Sequence, residues 1–150
     1  AEKYQMPVIY STHPRSLDRI RNRGFEPHPL VQNLKPFGFF DYNQLQLNAF
    51  CVLSDSGTLS EESAILGFNG ILIRTSTERP EVLDKGSMII GGIETEDIEQ
   101  AIELSRKMKQ NQEPAALPGD YRDENVSTKV VKIIQSYTKI INKRTWGKQG

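Results

Sequence analysis

The chain has 150 residues, long enough to bury one sizeable core and too short for two ordinary domains. Lys plus Arg and Asp plus Glu both number 19, so the formal net charge is zero and no global field draws the protein to nucleic acid or to an acidic membrane. The lone Cys51, in the apolar run Phe50-Cys51-Val52-Leu53, excludes an internal disulfide framework, reads as a buried structural thiol, and points to a reducing cytoplasm.

No apolar stretch approaches the ~18 residues of a membrane span, and the opening Ala1-Glu2-Lys3-Tyr4-Gln5 lacks a signal-peptide shape. A strand is predicted almost at once, over residues 7–12, as if the chain were cut from something longer. A helix follows over residues 15–23 with Leu17 and Ile20 inward, then a strand over 30–34 and a short helix over 41–49 capped by Asp41. Next come a strand at Cys51-Val52-Leu53, a helix over 58–66 stopped by Gly67, a strand at Ile71-Leu72-Ile73 and a helix opening at Pro80. After the run Met88-Ile89-Ile90, residues 95–109 form a helix with an acidic first turn whose inner face is Ile98, Ala101, Ile102, Ser105 and Met108. A loop over 112–123, carrying Pro114, Pro118 and Gly119, leads to a last helix over 125–142 with the apolar stripe Val126, Val130, Ile133, Ile134, Tyr137 and Ile141. Short β-branched runs alternating with helices read as an α/β, Rossmann-like parallel sheet with helices on both faces, one unit followed by a long terminal helix.

In open parallel sheets, ligands collect where strands end and the next helix points its N-terminus at the crevice. Three segments occupy such positions. In Ser54-Asp55-Ser56-Gly57-Thr58-Leu59-Ser60-Glu61-Glu62, a buried strand passes through a tight polar turn into a helix. Gly57 lets a ligand approach the backbone, Ser56 and Thr58 offer hydroxyls, and the N–H groups of the first turn suit a phosphate. Glu62 stands four residues into the helix, where a carboxylate can accept from ribose hydroxyls; an N-cap followed by surface acids fits the same spacing. In Arg74-Thr75-Ser76-Thr77-Glu78-Arg79-Pro80-Glu81, Arg79 falls at a helix start, where a cation opposes the helix dipole unless an anion such as a diphosphate lies nearby. An exposed pair of Arg79 with Glu78 or Glu81 is the alternative. In Ser11-Thr12-His13-Pro14-Arg15, Pro14 holds His13 extended, which suits either a structural role or an imidazole aimed across a crevice. Arg15, Arg19 and Arg23 share a helix face and read as a solvated surface in a neutral protein. His28, between Pro27 and Pro29, carries less weight.

Taken in order, His13-Pro14, Ser54-Asp55-Ser56-Gly57 with Glu61-Glu62, the helix end at Gly67, and Thr77-Glu78-Arg79-Pro80-Glu81 make the chain resemble the C-terminal half of the non-hydrolysing UDP-N-acetylglucosamine 2-epimerase family, over nearly all 150 residues. The resemblance implies the C-terminal, UDP-binding lobe of a glycosyltransferase-B-like two-lobed fold, with the N-terminal lobe outside this chain. It implies that Ser56, Gly57 and Thr58 hold the diphosphate, Glu62 the ribose and Arg79 the phosphates, that Tyr42 packs by the uracil, and that a protonated His13 assists near the reacting sugar. No cofactor and no metal are implied. The partners implied are UDP or a UDP-N-acetylhexosamine, the N-terminal lobe, and further copies of the complete enzyme in a homo-oligomer. The implied reaction removes the C2 proton, eliminates UDP and adds it back; the carboxylates that move the proton lie on the absent lobe. The final helix is expected to reach back to that lobe and therefore to lack part of its cover here. Where the family turn reads Asp-Ser-Gly-Gly with a Gln before the acids, this chain has Thr58 and Ser60. With Phe37-Gly38-Phe39-Phe40-Asp41-Tyr42 and the ending from Asn125 to Trp146, this is similar to the branch making UDP-N-acetyl-L-fucosamine for capsule or O-antigen. The donor lobe of a UDP-sugar glycosyltransferase and a non-enzymatic nucleotide-binding module are the alternatives.

Overall fold

The computed structural model describes residues 1–111 and 116–148. The chain divides into two compact units, Ala1–Ala49 and Phe50–Gly150. Both are built from parallel strands alternating with helices, the α/β class expected from the sequence.

In the first unit, β1 (Val8–Ser11) leads to α1 (Pro14–Asn22), β2 (Val31–Leu34) and α2 (Phe39–Asn48). Strands β1 and β2 pair in parallel, Val8 against Val31 through Ser11 against Leu34. Helix α2 begins two residues before the predicted start. Gly38, with extended dihedrals, is its N-cap, and Asp41 lies inside the first turn. There a carboxylate complements the positive end of the helix dipole, so Asp41 favours the helix without capping it.

The second unit runs β3 (Val52–Ser54), α3 (Leu59–Leu66), β4 (Gly70–Leu72), α4 (Pro80–Asp84), β5 (Ile89–Ile90), α5 (Thr95–Gln110), a 3-10 turn (Gly119–Arg122) and α6 (Val126–Arg144). Its sheet has the order β3-β4-β5, all parallel. Among the described residues, the five strands start and end within one residue of the runs read from the sequence. Central strand β4 is buried on every residue, as a strand covered on both faces must be. Around it Leu59, Phe68, Leu72, Val82 and Met88 form the core, with Val52, Ile90 and Tyr121 packed against them. Helix α3 stops where expected: Gly67 adopts φ 75°, ψ 28°, and its N–H bonds to the Ser63 carbonyl. At the end of β5, Gly91 admits a close approach, since a Cβ there would fall 2.7 Å from Ile71 Cγ2 and 3.4 Å from Ala101 Cβ.

Helix α5 has its inner face as predicted: Ala101, Ile102 and Ser105 are buried, Ile98 and Met108 half-buried. Part of the predicted loop over 112–123, with Pro114, lies outside the described residues; the rest includes the 3-10 turn. Helix α6 buries none of its residues. Cys51 is half-buried, and burial raises its thiol pKa, partly offset by Lys109, in keeping with a structural thiol. No helix among the described residues is long and apolar enough to cross a membrane.

Candidate functional site

The β3–α3 connection sits at the C-terminal end of a parallel strand, and its hydrogen bonds make it a compact polar turn. Ser56 N–H donates to Ser54 Oγ at 3.0 Å, and the hydroxyls of Ser56 and Thr58 share a bond of 2.9 Å. The amides of Leu59 and Ser60 fold back onto the carbonyls of Ser56 and Gly57, both at 3.2 Å, and the Glu62 amide onto Thr58. The first-turn amides are therefore less open than the sequence suggests: the tight turn consumes two donors. Ser56 and Thr58 remain exposed, and a Cβ at Gly57 would meet nothing within 4 Å, so the turn presents hydroxyls and an uncovered stretch of backbone. Glu62 lies half-buried one turn further along α3.

Arg79 is the N-cap residue of α4, with Pro80 at the first helical position as predicted. Its backbone N–H is held by Thr77 Oγ1 at 3.1 Å, and its guanidinium Nε–H donates to Glu61 Oε1 at 2.5 Å. Neither Glu78 nor Glu81 is its partner. Glu78 pairs with Arg74 at 2.9 Å, an exposed i, i+4 contact, and Glu81 accepts from the Tyr121 hydroxyl at 2.8 Å. The hydrogen bond that Arg79 donates to Glu61, and then the Glu61 charge, hold Arg79 further toward its charged form. Burial and the bond to Glu81 push the Tyr121 phenol well above its ordinary pKa. Glu61 was not singled out from the sequence. The available signal was the pair of adjacent acids, Glu61-Glu62, in one helical turn, where a single ribose contact needs one.

The Glu81 carboxyl lies below its ordinary pKa, first through its own backbone N–H and then through the Tyr121 hydroxyl. A depressed folded pKa means that this carboxylate's contribution to stability is full above the unfolded value and is lost as pH falls through the folded one. Tyr121→Phe should raise the Glu81 pKa toward the ordinary range and move that loss to higher pH. Carbon-13 NMR titration of the Glu81 carboxyl in both proteins checks this, and an unmoved midpoint rules it out.

His13 and Tyr42 belong to the first unit. His13 is the N-cap of α1, extended at φ −62°, ψ 141° as Pro14 requires, and exposed. Its Nδ1 accepts from the Arg15 amide at 3.3 Å, which leaves Nε2 as the ring nitrogen outside the cap. Tyr42 is half-buried on α2. Arg15, Arg19 and Arg23 are all exposed. Among the described residues no group of three His, Cys, Asp or Glu side chains could hold a metal ion.

The second unit thus gathers Ser56, Gly57, Thr58, Glu62, Arg79 and Glu61 on neighbouring elements of one sheet. Residues 1–135 match the family described as UDP-N-acetylglucosamine 2-epimerase. The chain belongs to this family. The UDP-N-acetylglucosamine 2-epimerase of Methanococcus maripaludis is 33% identical over 111 residues, 71% of this chain and 30% of that protein. Among solved structures, the UDP-N-acetylglucosamine 2-epimerase of Rickettsia bellii superposes with a TM-score of 0.79 at 35% identity, covering 98% of this chain and 41% of that one. The Methanocaldococcus jannaschii UDP-GlcNAc 2-epimerase, solved in complex with UDP-GlcNAc and UDP, gives 0.75 at 28% identity, covering 90% and 37%. The chain spans about a third of the length of the 2-epimerases it matches. It corresponds to one lobe of those structures.

Proposed function

We propose that this chain is the UDP-binding part of a UDP-N-acetylhexosamine 2-epimerase, with Ser56, Gly57 and Thr58 receiving the diphosphate, Arg79 its charge and Glu62 the ribose. The observation that carries the reading is the pairing, in one unit, of an open hydroxyl-bearing turn at a strand end with an arginine held at the head of α4. Glu61 takes only the Nε–H of Arg79, so the terminal nitrogens of the guanidinium remain for a phosphate. Tyr42 is assigned to the uracil and His13, through Nε2, to the diphosphate side of the sugar. Breaking the anomeric C–O bond places negative charge on departing UDP, which Arg79 and the helix end stabilise. The base that removes the C2 proton is assigned to the part of a family-length protein outside this chain, and α6 to contact with that part. Assembly of the complete enzyme as a homo-oligomer in the cytoplasm belongs to the same reading. Thr58 and Ser60 where the family has Gly and Gln, together with the segment from Phe37 to Tyr42 and the ending from Asn125 to Trp146, support a product of the UDP-N-acetyl-L-fucosamine kind, for capsule or O-antigen.

Titration of the 150-residue chain with UDP, followed by amide NMR, should shift Ser54 through Glu62 and Arg79, while UDP-N-acetylhexosamines are not turned over. Shifts elsewhere with Ser54 to Glu62 unmoved would reject the site, and measurable epimerisation by the chain would reject the division of labour.

A further inference from the structure

We propose that Glu61 is a positioning residue for the diphosphate: by accepting the Nε–H of Arg79 it fixes the guanidinium and leaves both terminal amino groups for the phosphate oxygens. The proposal rests on the UDP-binding reading of Arg79. Two ion pairs near the site differ in kind. Arg74–Glu78 joins neighbours on one loop, with Glu78 67% exposed, and is an ordinary surface contact. Arg79–Glu61 spans 18 residues and ties the head of α4 to the first turn of α3, with both side chains about two-thirds covered. Glu61 Oε2 is covered and takes no hydrogen bond among the described residues, so Arg79 is the charge that this carboxylate answers to.

The choice of nitrogen matters. A guanidinium has five N–H donors in a rigid fork, and Glu61 uses the one nearest the chain. Four donors remain on the two terminal nitrogens, and no acceptor among the described residues engages them. An arginine held at both its backbone N–H and its Nε has lost most of its rotamer freedom before ligand arrives, which is the preorganisation that raises affinity without a new ligand contact. Glu62, the next acid on α3, stays assigned to ribose, which gives each member of the Glu61-Glu62 pair its own task.

Calorimetric titration of the 150-residue chain with UDP and with uridine, alongside thermal melting, tests this on Glu61→Ala, Glu61→Gln, Arg79→Ala and the Glu61→Ala, Arg79→Ala double variant. Glu61→Ala should weaken UDP about five-fold and leave uridine unchanged, because the lost order concerns the phosphates. Glu61→Gln, whose amide carbonyl still accepts the Nε–H, should keep most of the affinity. The double variant should bind no more weakly than Arg79→Ala alone. UDP affinity equal to or above wild type in Glu61→Ala, with Arg79→Ala weakened, would overturn the proposal and make Glu61 a mere brace or a competitor for Arg79. Equal losses for UDP and uridine in Glu61→Ala and Glu61→Gln would also overturn it, as damage to the fold. If Arg79→Ala itself leaves UDP affinity intact, the assignment of Arg79 to the phosphates fails and the role of Glu61 falls with it.

Discussion

Leu72→Ala should destabilise the second unit by about 2–5 kcal/mol. Leu72 is fully buried in the middle strand of β3-β4-β5, between Ser54 on one side and the neighbouring Ile90 on the other, and packs in the cluster with Leu59, Val82 and Met88. Three of those contacts are with the machinery of the candidate site: Leu59 is the first residue of α3, Val82 lies in α4 behind Arg79, and Ser54 opens the polar turn. A cavity at Leu72 therefore loosens both helices whose residues we assign to the ligand. Against a typical total of about 5–15 kcal/mol, a loss of that size is a large share of the stability, and UDP binding should decline in step with the folded fraction. Leu53→Ala, on the adjacent strand but 41% exposed, leaves a much smaller void and should cost far less. Urea denaturation of the three proteins measures the difference. Equal midpoints for Leu72→Ala and Leu53→Ala would show that β4 is not the centre of the core.

The strands were legible because runs such as Val8-Ile9-Tyr10 and Ile71-Leu72 combine β-branched side chains with polar or glycine boundaries, a local signal that survives in the fold. Their environments were not legible. Tyr10 is 42% exposed while Leu72 is fully buried, and nothing in the two runs themselves distinguishes them, because burial depends on what packs from elsewhere in the chain. The helix ends divide in the same way. Gly67 and Pro80 act through their own backbone geometry and stood where expected, whereas Asp41 favours the start of α2 equally well from within the first turn, and so marked the helix without marking its boundary. In the candidate site, the turn from Ser54 to Glu62 could be read as a ligand turn from a strand, small polar residues and a helix in succession. The partner of Arg79 could not. Sequence proximity offered Glu78 and Glu81, but a side chain at the head of α4 meets whatever the sheet brings beside it, and that is α3. Family resemblance added the roles of Tyr42 and His13, which no spacing rule would assign. Only the structure shows that the His13 Nδ1 is spent as a helix cap.

The 150-residue chain should self-associate through α6, and Tyr137→Ser combined with Ile141→Ser should return it to a monomer. At 3.6 residues per turn, Val126, Val130, Ile133, Ile134, Tyr137, Ile140 and Ile141 fall along one side of the helix, and every one of them is exposed; Ile133 is 58% and Tyr137 56% accessible. A contiguous exposed apolar stripe about four turns long is the kind of surface that tends to find a partner. In a family-length protein the remaining part of the polypeptide is the cover we assign to it; in this chain a second copy is the surface available. Charge shapes the outcome. From Val126 to Arg144 the helix carries Lys129, Lys132, Lys139, Lys143 and Arg144 and no acidic residue, so two copies of the stripe meet against their own repulsion. Screening that repulsion should strengthen association, and the apparent mass by light scattering should rise with added salt, opposite to the behaviour of a contact built on ion pairs. The two serines cut the stripe in its C-terminal half without altering charge, so the variant should stay monomeric at every salt concentration. A strict monomer for both proteins at high concentration and high salt would sink the idea, and would mean that an exposed basic amphipathic helix of this length remains solvated on its own.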